Sequence, residues 1–125
     1  MILASRLALT TALLWFILAN GVGLFLGLGI LPSTWRPAHA HMHLLGFVGL
    51  MIYGVVYHAL PRFRGVVFQR PGVALVQVAL ANVGLLGMVL AWGLSLGASF
   101  WGLFAGLSTV AGFLFALLML EVLWF

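Results

Sequence analysis

Cysteine, lysine and aspartate are absent from this chain of 125 residues, and Glu121 is its only acidic side chain. Without cysteine there can be no disulfide, no thiolate metal ligand and no covalently attached c-type heme. Charge of either sign is scarce: charged residues make up 5% of the chain, against 66% hydrophobic residues. A soluble domain of this length has too little interior to hide that composition, so an integral membrane protein is expected. The formal net charge of +4 comes from arginines dispersed over the chain rather than gathered on one face, which argues against nucleic acid as a partner.

A membrane span needs roughly 20 predominantly apolar residues. Four segments qualify, at about 7–30, 38–60, 73–96 and 100–124. With three short connections they use up residues 1–125 as one transmembrane domain, and short connections make consecutive helices antiparallel. The expected fold is therefore all-α, an up-down bundle of four transmembrane helices. Arg6 ahead of an apolar run imitates a secretory signal, but the run continues to Ile30 without a small-residue cleavage pattern, so a retained first span is expected. In the four-span arrangement Arg6, Arg62, Arg64 and Arg70 share one side and Arg36 lies on the other. The positive-inside rule puts both termini in the cytoplasm, with a cell inner membrane as the expected location.

The connections carry their own punctuation. Leu31-Pro32-Ser33-Thr34-Trp35-Arg36-Pro37 reads as a turn with a capping hydroxyl, an interfacial tryptophan and a proline placed in the first turn of the second helix. Pro61-Arg62-Phe63-Arg64-Gly65 is expected to stop that helix, and Arg70-Pro71-Gly72 to start the third. A minimal turn is expected around Ser95 to Phe100. Glycines four apart, at Gly23 and Gly27, Gly93 and Gly97, and Gly102 and Gly106, suit close helix approach, with packing inside the bundle preferred over a subunit seam.

Against this apolar background stand His39, His41 and His43, alternating near the start of the second span, with His58 at its far end. Ionisable groups inside a membrane are costly and mark a ligand, a partner or an aqueous path. At about 100° per residue, His39 and His43 fall within roughly 40° of each other, while His41 points about 200° away. One helix thus presents imidazoles to two sides, as metal or heme ligands would require. Each histidine taken singly also fits hydrogen bonding to a neighbouring backbone or a wet interfacial position. Gly46 falls close to the face of His39 and His43 and would leave a smooth surface for a flat macrocycle. Zinc on the pair His39 and His43 lacks a nearby carboxylate or thiolate to complete its shell. His58, beside Tyr57 and about 22 Å along the helix from His43, is read as interfacial. Gln77 and Asn82 are expected to bond across the bundle, and Glu121 to be solvated or paired with an arginine.

From His39 to Gly65, the sequence His-x-His followed by Leu44, Gly46, Gly54, Tyr57, Pro61-Arg62 and Gly65 resembles the tenth helix of the catalytic subunit of heme-copper oxidases and nitric oxide reductases. The resemblance covers about a fifth of the chain. It implies that His39 ligates a high-spin heme and His41 a low-spin one; His43 falls outside the family's pair and stands on geometry alone. The family's subunit has twelve spans in three pseudosymmetric groups of four, and its copper ligands include histidines on other helices. This chain has one group of four and no histidine outside the second span, so copper is less expected than heme b, no catalytic residue is assigned, and an oxygen reductase is not expected from this chain alone. All ligand candidates lie on one helix, so a bis-histidine heme would need a second copy of the chain, unless Met88 or another side chain supplied the other ligand or the iron were five-coordinate. The implied arrangement is a homo-oligomer in the lipid bilayer, a trimer ahead of a dimer, with heme iron between subunits. Arg36 would face a heme propionate or anchor the interface. Electron transfer with a redox partner, or gas binding, is the implied function; metal-ion transport through the histidines and Met42, and a structural subunit of a respiratory complex, are the alternatives.

Overall fold

Residues 1–125 are described by a computed structural model, in which the chain is all-helical. Four helices are long and apolar enough to cross a membrane: α1 (Leu3–Gly27), α2 (Trp35–Arg64), α3 (Pro71–Gly93) and α4 (Ala98–Trp124). Their contacts fix antiparallel neighbours. Ser5 near the start of α1 donates to the Gly54 carbonyl near the end of α2, whereas His39 near the start of α2 meets Ala19 late in α1. Tyr57 and Gln77 join the far end of α2 to the start of α3, and Arg70 and Glu121 join the start of α3 to the end of α4. One end of the bundle therefore carries the chain termini and the other the histidine cluster.

The four expected segments are all helical, displaced by a few residues. The first helix starts earlier, at Leu3, and finishes at Gly27 where Gly29 turns left-handed (φ 72°). The third ends at Gly93 rather than at residue 96, because the turn over Leu94 to Gly97 carries Ser95 at φ 55° and Gly97 at φ 98°. Pro37 does lie in the first turn of α2. Thr34 does not cap that helix; its hydroxyl reaches across to the Gly93 carbonyl at 3.4 Å.

Pro61 does not stop α2. The helix continues through it to Arg64 and closes at Gly65, whose left-handed conformation (φ 66°) lets Gly65 and Val66 donate back to Arg62 and Pro61. Those two bonds satisfy carbonyls at the helix end, and a glycine adopts that conformation without the Cβ clash other residues meet. The proline costs one backbone bond near the end of the helix, where packing against the bundle offsets it.

A wide-turn π-helical segment, Met42–Gly49, interrupts α2 directly after His41, the second histidine of the trio. Such i→i+5 segments occur mostly as local insertions in α-helices and favour functional sites.

The core is small residues and a few large ones. Ala4, Ala8, Ala12 and Ala19 line the buried stripe of α1, and α3 meets the backbone of α4 at Gly84, where an added Cβ would stand 2.7 Å from the Ser108 nitrogen. Gly23 and Gly93 likewise receive His39 and Trp35. Gly27, Gly102 and Gly106 meet nothing, so those members of the expected packing pairs face outward rather than into the bundle. Without a hydrophobic drive between helices in lipid, this close van der Waals packing and interhelical hydrogen bonding hold the bundle together.

Candidate functional site

The three histidines divide between the two flanks of α2. His39 and His43 lie together, with ring centroids 4.9 Å apart at nearly a right angle, on the flank facing α1. His41 lies on the flank facing α3, its ring 4.5 Å from the Trp92 ring. The alternation on the sequence thus becomes a two-sided display, and no group of three metal-ligating side chains converges within the protomer.

Each of the first two imidazoles is held by one nitrogen. His39 Nδ1 is 2.9 Å from the Ala19 carbonyl of α1, and its ring lies over Gly23, where an added Cβ would come within 2.7 Å of Cε1. His41 Nδ1 is 2.9 Å from the Pro37 carbonyl one turn back in its own helix. A carbonyl can only accept, so Nδ1 of each ring is the donor, which leaves Nε2 as the lone pair of the neutral imidazole. Metal-ligating histidines are commonly fixed this way, the second nitrogen donating to a backbone carbonyl that sets tautomer and orientation. Both carbonyls lie inside helices, where the i→i−4 ladder already uses them. The contacts therefore orient the imidazoles more than they rescue an unpaired acceptor.

His43 has no hydrogen bond within the protomer; its ring rests edge-on to Phe16 at 6.0 Å. Among buried side-chain polar atoms only Trp101 Nε1 lacks a partner. The free nitrogens of the three histidines are consequently not sealed inside the bundle.

Gly46 does not offer the expected flat surface. An added Cβ there would lie 2.7 Å from Trp15 Cβ and 3.0 Å from Leu85 Cδ2, so the space over it is filled by α1 and α3. The cause is the widened segment: three residues at roughly 85° instead of 100° leave Gly46 about 45° short of the face of His39 and His43. Met42 and Met88 are also enclosed in the core. Arg36 is exposed at the histidine end.

No protein family, curated protein or solved structure matches the chain. Its own residues carry the reading.

At the same end, an open cavity of about 600 Å³ is lined by Ser33, Thr34, Pro37, Trp92, Ser95 and Trp101. It reaches Trp92, against which His41 is stacked, but none of the three histidines lines it. His58 lies at the terminal end, lining a smaller cavity with Tyr57 and Arg62, away from the other three. The polar residues of α3 are used structurally: Tyr57 donates to Gln77 Oε1 at 2.9 Å, Gln77 Nε2 donates to the Ala111 carbonyl at 3.1 Å, and Asn82 joins Trp15 and Thr11. Glu121 pairs with Arg70 at 2.8 Å. The hydrogen-bonded imidazoles, the detail that bears most on chemistry, left no signal in the sequence beyond the presence of the histidines, because Ala19 and Pro37 contribute only backbone.

Proposed function

We propose that the chain is a b-type heme protein of the membrane, in which His39 and His41 would hold heme iron through Nε2 and a second copy of the chain would supply the remaining ligand. The observation that carries this reading is the fixed tautomer of both imidazoles, each with Nδ1 on a carbonyl and Nε2 free. The donor set fits heme iron better than zinc, since no carboxylate or cysteine lies near to complete a tetrahedral shell. Filling of the surface at Gly46 and burial of Met88 argue against a heme held within one protomer. Because His39 and His41 occupy opposite flanks of α2, one copy can offer His39 to a seam while its neighbour offers His41, which suits a ring of three.

A heme with two histidine ligands would supply one-electron exchange with little rearrangement. The Ala19 and Pro37 carbonyls would orient the ligands, and Arg36, exposed at the same end, would pair with a propionate. The two termini are assigned to the cytoplasm and the histidine end to the opposite face of a cell inner membrane. Burial of Met42 weakens the ion-relay alternative, which needs that sulfur beside the histidines.

The test is an absorption spectrum of the purified protein from heme-replete cells, oxidised and reduced, with a pyridine hemochrome assay. A Soret band is expected, altered by His39→Ala and by His41→Ala and unaltered by His58→Ala. Absence of the band overturns the proposal; a band unchanged in both of the first two variants removes these ligands.

A further inference from the structure

Asn20 is the one amide in α1, and the structure leaves it exposed, without a hydrogen-bond partner, on the outside of the bundle. It lies seven residues, about 10 Å, inside the end of α1 at Gly27, and His43 lies eight residues, about 12 Å, inside the start of α2 at Trp35. Asn20 and His43 are about one helical turn apart in depth, both within the length that hydrocarbon would cover. They are also neighbours around the bundle. Phe16 touches His43, and Asn20, one turn further along α1, falls about 40° from Phe16 on the outward side.

Lipid tails can satisfy neither an amide nor an imidazole, and polar side chains at this depth ordinarily face protein or a water-filled cavity. We infer that the flank of α1 carrying Asn20, together with His43 of α2, is the surface on which a second copy of this chain docks. A second copy is the occupant because it brings the groups needed: both an amide and an imidazole donate and accept, and each copy presents an unpaired Asn20 and imidazole nitrogens left free by the fold. The flanking residues are apolar and outward, Ile17 at 65% and Leu24 at 60% exposure, and give the seam its van der Waals surface. The outward side of α4 around Leu117, at 64% exposure, carries Phe113 and Leu120, and its one charged side chain, Glu121, is already paired with Arg70, so this side is left to lipid. The inference deepens the heme reading by naming the face on which subunits meet and rests on that reading only for what lies beside the seam.

A photo-cross-linking residue placed at Ile17 or Leu24, with Leu117 as the comparison position, tests this in intact membranes. A covalent band at twice the chain mass is expected from positions 17 and 24 and not from 117, and two differently tagged copies should both be found in it. Asn20→Leu should lower the yield from position 17 several-fold, and Asn20→Gln should restore it. Cross-linking from 117 alone, or only monomer from all three positions, overturns the inference. A cross-link from 17 and 24 without a Soret band leaves the seam standing and the heme reading fallen; a Soret band with cross-linking only from 117 does the reverse.

Discussion

Single residues in this bundle are distinguished less by their chemistry than by the room beside them. Gly46 and Gly106 are both glycines in apolar helices, yet Trp15 and Leu85 close over the first and nothing approaches the second. Gly46→Ala is expected to lower stability by about 1–3 kcal/mol through overpacking. Gly106→Ala should stay within about 0.5 kcal/mol of the parent. Reversible unfolding in mixed micelles measures both, and equal losses would contradict the packing described. The sequence made the two glycines look alike, because four-residue spacing gives a face without saying which face is inward. It did reveal the histidines, since three imidazoles in an apolar run are conspicuous whatever surrounds them. What holds His39 and His41 was hidden, because a backbone carbonyl has no letter of its own.

Elements were legible to within a few residues wherever composition alone decides them. The four spans follow from the length of apolar runs, and the turns from prolines and glycines at their ends. The continuation of α2 through Pro61 was not legible, since a proline near a boundary reads as a stop whether or not three more residues find bonds beyond it. Nor was the segment Met42–Gly49, whose residues Met-His-Leu-Leu-Gly-Phe-Val-Gly are ordinary for an α-helix. Its wide turn has a testable consequence. A one-residue insertion absorbed as a wide turn keeps the two flanks of a helix in phase, so removing the extra residue restores an α-helix without turning either flank far. Deletion of the outward-facing Leu45 should therefore leave a folded, membrane-inserted protein. Deletion of Ile52, in the regular part of α2, should rotate Gly54 and Tyr57 by about 100° out of their contacts with Ser5 and Gln77 and abolish folding. Yield of monodisperse protein and far-ultraviolet dichroism distinguish the two deletions; equal loss in both would show that the segment is not such an insertion.

At the scale of the molecule, one polar chain ties three helices together. Tyr57, Gln77 and the Ala111 carbonyl link α2, α3 and α4 at a level where Tyr57 is 2% exposed and Gln77 fully buried. Tyr57→Phe leaves Gln77 Oε1 without its donor and should cost about 1 kcal/mol, near the usual value for hydrogen bonds between membrane helices. Unfolding titrated with a denaturing detergent reads this change, and an unaltered midpoint would mean the bond contributes nothing. The expectation that Gln77 and Asn82 act across the bundle rested on the expense of unpaired amides among apolar helices, and the same rule left Asn20 conspicuous once the fold was known. The bond from His39 to Ala19 belongs to this scale as well, although it joins only two groups. His41 borrows its acceptor from its own helix and would keep it in a lone hairpin or a half-folded chain. His39 borrows from a neighbour that arrived first during synthesis. Its ring is therefore oriented only after α1 and α2 have met in the right rotation: one imidazole is prepared by local sequence, the other by tertiary structure.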